Sequence, residues 1–146
     1  MTATYVVGVD GSEASHRALH FAKRQASLVG KDSLLLLVYV VEWSPYKFQT
    51  TQENAERKQR KKEEIRQAND RIILPLKKEL ESEGFNADGI VIHGNAASCL
   101  NHVAIEHRAE QIFVARSTSH GISARVFGSV TAQLVMSANV PVTVVT

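Results

Sequence analysis

Three segments of this sequence bring small residues and oxygen-bearing side chains together in patterns suited to meeting a ligand. Asp10-Gly11-Ser12 follows the β-rich run Tyr5 to Val9. Its carboxylate or the adjoining backbone could take hydrogen bonds from a ligand, although a turn with a helix cap would use the same three residues. Gly128 lets backbone come close to a bound group, and Ser129 is a good N-cap. The free N–H groups of a helix opening there favour an anion. Between the two, Ser117, Thr118 and Ser119 crowd three hydroxyls into one loop, with Arg116, His120 and Arg125 close in sequence. Hydroxyls and guanidinium groups partner phosphate well, and a polar surface loop has the same composition.

Other reactive side chains point to less. His16 and His20 have the four-residue spacing of a two-ligand metal face, but no Glu-x-x-His or Cys set supplies further ligands, so they read as a solvated pair. His93, His102, His107 and His120 show no triad partner. Cys99 is the single cysteine, which excludes an intrachain disulfide and a Cys-based metal site, and beside Leu100 it reads as a small apolar residue. Glu53 to Glu64 mixes both charge signs, as a solvated helix face does.

The elements that must carry these residues alternate. Tyr5–Val9 is a strand, and a helix follows over about 13–29, with Ala18, Leu19, Ala22, Ala26 and Val29 on one side and Gly30 as its stop. Ser33 to Val41 is apolar without alternation, the mark of a strand covered on both faces. Glu42 to Thr51 reads as a loop, and a long helix over about 52–83 ends at Gly84. Its first half is charged all round, its second half carries Ile65, Ile72, Ile73, Leu76 and Leu80, and Pro75 is placed to kink it. A strand over 89–93 stopped by Gly94, a helix over 96–108, a strand over 111–115, a helix from near Ser129 and a strand over 140–145 complete the chain. Alternation of this kind predicts right-handed β-α-β units and a parallel sheet. Ligands of such sheets bind beyond the carboxyl ends of the strands, where Asp10–Ser12, Val40–Val41, Gly94–Asn95 and Ala115–Thr118 all stand.

These residues, in this order, resemble the universal stress protein family, over essentially the whole chain. Val7-Gly-Val-Asp-Gly-Ser12, the apolar second strand, Gly94, Glu110 to Ala115, Gly128-Ser129 and Val140-Pro-Val142 follow the family's sequence of elements. The family signature G-x2-G-x9-G-[S/T] survives here only as Gly128-Ser129, because Ala115 and Thr118 replace its two leading glycines. The resemblance implies an α/β fold, an open five-stranded parallel sheet of order 3-2-1-4-5 with helices on both faces, Rossmann-like and similar to adenine nucleotide alpha hydrolases. It also implies an ATP or AMP site. Asp10 and the Val40 backbone would hold the base, Gly94 would lie by the ribose, and Ala115, Thr118, Gly128, Ser129 and Val130 would face the phosphates. Mg or Mn would be needed only with ATP. A β-branched Thr118 in a left-handed conformation would cost on the order of 1–3 kcal/mol.

With 146 residues the chain suits one domain, 1–146, and a net charge of +2 gives no sign of nucleic-acid binding. No basic leader and no apolar run of about 18 residues is seen, so no membrane association and a cytoplasmic location are expected. The apolar strand 140–145, with Pro141 unable to donate, suits a sheet edge that pairs with its twin, and the resemblance also implies a homodimer. The expected function is a stress-response regulatory dimer that senses a nucleotide, with ATP hydrolysis at most slow and incidental. The alternative is a dimer acting through an unknown protein partner without nucleotide. An enzyme of the related hydrolase or transferase group would need an SGGxDS-type loop or a HIGH motif after strand 1, and neither occurs. A response-regulator receiver would need an acceptor Asp where His93-Gly94 stands.

Overall fold

Successive residues of a strand face opposite sides, so an apolar run such as Leu35 to Val38 needs a hydrophobic layer on each face of its sheet. A computed structural model describes residues 2–42, 51–116 and 122–146, with 122–128 described through the backbone alone. It contains β1 (Thr4–Gly8), α1 (Glu13–Val29), β2 (Leu34–Glu42), α2 (Thr51–Ala68), α3 (Leu74–Ser82), β3 (Asn86–Gly94), α4 (Ala96–Glu106), β4 (Gln111–Ala115), α5 (Ile122–Ser137) and β5 (Val142–Val145). The five strands form one sheet in the order β3-β2-β1-β4-β5, and every pair is parallel.

Two cores lie on the two faces. Tyr5, Val7, Leu35, Leu37 and Phe113 meet the alanine stripe of α1 and the α3 residues Leu76 and Leu80. Val6, Leu36, Val38, Ile112 and Val114 meet Leu100, Val103 and Ala104 of α4 and Val130 and Leu134 of α5. Burying a Val, Leu or Phe side chain of this kind contributes roughly 1.5–3 kcal/mol. Ser12 caps α1 by accepting the Ser15 N–H at 3.2 Å, and the Gly30 N–H closes it on the Ala26 carbonyl at 2.8 Å. The stripe stops at Ala26, because Val29 is 43% exposed.

Several boundaries differ from those read in the sequence. The long helix is divided by a π-helical turn at Asn69–Ile73, immediately before Pro75, where the Leu74 N–H reaches back to the Asn69 carbonyl. Proline has no N–H, and its ring clashes with the carbonyl four residues earlier, so a widened turn accommodates it where a kink was expected. The helix after β3 ends at Glu106, and Arg108 turns to a positive φ of 52°. The last strand begins at Val142, two residues later than expected, although its bonding to β4 starts one residue before it. The Pro141 carbonyl accepts the Ile112 N–H, and Asn139 exchanges hydrogen bonds with Asn101. The expected loop 42–51 lies outside the described residues, except that Glu42 ends β2 and Thr51 opens α2.

The π turn turns Ile73, 1% exposed, onto Gly89 of β3, where an added Cβ would overlap the Ile73 Cγ2. Gly89→Ala should therefore destabilise the fold by about 1–3 kcal/mol, the usual cost of overpacking, read as a lower urea midpoint with an unchanged slope.

Candidate functional site

β1 is flanked by β2 on one side and β4 on the other, so the strand order reverses at its carboxyl end. In an open parallel sheet that is where a crevice forms. A cavity of about 300 Å³ lies there, lined by Gly8, Val9 and Asp10 after β1, Val38 to Val40 and Glu42 of β2, Val114 of β4, Ala96 and Leu100 of α4, and Val130 of α5. Its volume sits at the lower end of the about 300–1,000 Å³ usual for small-molecule sites, and its wall is apolar except at a few points, as such sites commonly are.

The backbone at the rim has a free edge. The Val38 carbonyl faces β1 and accepts the Val9 N–H at 3.0 Å, and the last β1–β2 pair is Gly8 with Val38. Backbone groups alternate along a strand, so Val40 turns its own N–H and C=O the same way, past the end of β1. A flat heterocycle with a donor and an acceptor on one edge can use both groups. Asp10 stands opposite. Its Oδ1 accepts the Ser12 N–H at 2.9 Å, and among the described residues its second carboxylate oxygen accepts no hydrogen bond. The turn reading of Asp10 and the ligand reading thus use different oxygens.

Charge in this region is acidic. Asp10 and Glu42 line the cavity, and among the described residues none that lines it is a cation. The Tyr39 hydroxyl is pushed up in pKa by burial and by the Asp10 and Glu64 carboxylates. The Cys99 thiol is raised by burial and then by Glu42. Cations gather at the exit of β4. The Arg116 N–H donates to the Val145 carbonyl at 2.8 Å, and the Arg17 guanidinium donates to the Arg116 carbonyl at 3.2 Å.

Of the residues singled out in the sequence, Asp10, Val40 and Val130 meet at this cavity. Gly94 does not line it. It pairs in register with Glu42, at φ 156°, and an added Cβ would stand 2.8 Å from the Cys99 Sγ, so packing of α4 against β3 alone requires the glycine. Ala115, 1% exposed, packs with the Tyr5–Phe113 core on the α1 face, and its Cβ points away from the cavity. Thr118 lies outside the described residues, as do Ser117, Ser119 and His120. Gly128 and Ser129 do not open a helix as expected. α5 begins at Ile122, so Gly128, Ser129 and Val130 are interior, where N–H groups close intrahelical bonds and free donors belong to the first turn. Sequence reasoning missed Glu42, Ala96, Leu100 and Val114. The first was legible from the two-residue period Val38, Val40, Glu42, which sets all three on one face.

The histidine pair of α1 is exposed beside Lys23 and Glu79, and among the described residues no group of three His, Cys, Asp or Glu is placed to hold a metal. Among the described residues, no helix is long and apolar enough to cross a membrane.

The family model "Universal stress protein family" matches residues 1–146. No curated protein matches the sequence. Among solved structures, the universal stress protein UspA from Lactobacillus plantarum superposes with a TM-score of 0.80 at 20% identity, over 99% of this chain and 97% of that one. A universal stress protein in complex with cAMP gives 0.61 at 22% identity, over 99% and 97% of the two chains. The universal stress protein from Archaeoglobus fulgidus in complex with dAMP gives 0.57 at 21% identity, over 100% and 98%. At these identities the likenesses establish the fold.

A raised pKa leaves less thiolate at a given pH, and the thiolate is the reactive form. Cys99 should therefore be alkylated by iodoacetamide at pH 8 more slowly than a model thiol, and Glu42→Gln should speed it by removing a charge that raises the pKa. Equal rates in the two proteins would contradict that electrostatic account.

Proposed function

Because the chain belongs to the universal stress protein family, we propose that its cavity takes the adenosine part of ATP or AMP and that the protein is a cytoplasmic stress-response sensor working as a homodimer. The observation that carries this reading is the free backbone edge of Val40 facing the Asp10 carboxylate across an apolar slot. A purine base fits such a slot flat, with its polar edge on the strand. In this reading the ribose and phosphates leave the base toward the β4 exit and α5, where Val130 lines the cavity, and the resemblance assigns Gly94 to the ribose side and Ala115, Thr118, Gly128 and Ser129 to the phosphates. Mg or Mn would accompany a triphosphate only. Among the described residues, the titratable side chains at the cavity are Asp10 and Glu42, since the Tyr39 side chain packs on the opposite face of the sheet. They form no set of nucleophile and base, which supports binding over turnover. The cAMP and dAMP complexes of two relatives support an adenine ligand. A second reading, a dimer that works through a protein partner without nucleotide, draws on Ala115 and Thr118 in place of glycines.

Isothermal titration of the nucleotide-stripped protein with ATP and AMP tests the first reading. Micromolar binding is expected. A hydrogen bond to a charged group is worth about 1.5–3 kcal/mol, so Asp10→Ala should weaken binding about ten- to hundredfold. No heat up to millimolar nucleotide would retire the sensor and leave the partner-binding dimer.

The dimer is proposed through β5. The Pro141 and Val145 carbonyls accept from β4, so the alternate residues Val142 and Val144 turn their N–H and C=O groups to the free edge of the sheet. Sedimentation equilibrium should give the mass of two chains. Val144→Pro removes one free-edge donor without touching the β4 ladder and should shift the equilibrium to monomer. A monomeric parent protein would end the dimer proposal.

A further inference from the structure

From the geometry around the end of β2 we infer that Glu42 is a ribose-reading residue, which makes the cavity selective for adenine nucleotides with a free 2′,3′-diol. The inference rests on the adenosine-binding reading above and names a specificity within it.

Glu42 is the last residue of β2, and it lines the cavity. Val38, Val40 and Glu42 share one face of the strand, so Glu42 lies on the side of the Val40 edge, about 6.6 Å further along β2. A purine held by the Val40 backbone and Asp10 carries its ribose at a comparable separation. Glu42 is also the Cα partner of Gly94 in the β2–β3 register, so it stands at the carboxyl end of the sheet, beyond the end of β1. Ala96, the first residue of α4, borders the same space.

The chemistry is directional. An ionised carboxylate only accepts hydrogen bonds, and its two oxygens can take both hydroxyl protons of a vicinal diol. Phosphate oxygens have no proton to give and are repelled by it. An acidic side chain beyond a strand of a parallel nucleotide-binding sheet accepts from ribose hydroxyls in dinucleotide folds for this reason. Among the described residues, no ion pair or hydrogen bond occupies Glu42, and none of those lining the cavity is a cation able to neutralise it. A site built to bind a hydroxyl rejects the analogue lacking it far more strongly than an apolar wall does. A 2′-deoxynucleotide has lost one of the two hydroxyls, and a 3′,5′-cyclic nucleotide has its 3′ oxygen in the phosphodiester.

Titration of the wild-type protein, Glu42→Ala and Asp10→Ala with AMP, 2′-deoxy-AMP and cyclic AMP tests this. Glu42 is exposed at the end of its strand, and its replacement leaves both cores intact. The wild-type protein should bind AMP about tenfold or more tightly than 2′-deoxy-AMP and cyclic AMP. Glu42→Ala should collapse the AMP to 2′-deoxy-AMP ratio to near one. Asp10→Ala should weaken all three and keep the ratio. The ratio is the readout because removing a negative charge shifts every anionic ligand alike. Equal affinities in the wild-type protein, or a ratio unchanged in Glu42→Ala, would overturn the role of Glu42 while nucleotide binding stood. Absence of binding by all three would overturn both readings.

Discussion

The difference in length between two neighbouring strands shapes this molecule's chemistry. β1 pairs with β2 only as far as Gly8 and Val38, while β2 runs on beside β3 to Glu42. Past that point one flank of β2 is paired and the other is open, in a sheet whose faces are both covered. Backbone N–H and C=O groups are obligatory hydrogen-bonding groups, and burying them unpaired is costly. The rim between β1 and β4 is therefore a place where a ligand, or water, must complete what the sheet leaves undone. Gly8 keeps the slot narrow enough to be useful. A Cβ there would stand 3.3 Å from Val114 and 3.5 Å from Leu100, so the strand approaches α4 closely without a side chain between them.

The opposite face bears the cost of a proline. Pro75 cannot sit in an undisturbed helix, and the π turn ahead of it restores the hydrogen bonding by reaching one residue further back. That turn changes which side chain faces the sheet, and Gly89 is the complementary vacancy in β3. The pair fixes α3 on the sheet, and α3 in turn holds Leu76 and Leu80 against the α1 core. The charged first half of α2 makes no comparable contribution, since Ala68 is its one fully buried residue.

How much of this was legible follows from what each signal measures. The apolar run Ser33–Val41 declared a strand covered on both faces, because a parallel sheet between two helix layers makes such a run stable. Gly30 and Gly84 marked helix ends for the reasons that usually apply. Gly128-Ser129 misled because local chemistry suits a cap while tertiary packing prefers a longer helix. An interior glycine costs about 1 kcal/mol, and burial of Val130 and Leu134 further along α5 offsets it. Gly94 and Ala115 were read through a ligand, yet packing against Cys99 and the α1 core accounts for each. Asp10 and Val40 meet at one cavity because strand ends are fixed by register, the strongest constraint in a sheet with both faces buried.

The distribution of charge around the slot gives it a polarity that the apolar wall alone would lack. Asp10 and Glu42 give the rim of the slot a negative potential, while Arg17 and Arg116 stand at the β4 exit, tied to one another through the Arg116 carbonyl. For the adenosine ligand proposed above, entry with the phosphates first would bring like charges together at that rim. Entry base first would set hydrogen-bonding groups against the base and leave the phosphates to the guanidinium side. In that proposal the carboxylates that repel phosphate are also the acceptors a nucleoside offers protons to, so one pair of residues would both orient the ligand and read it.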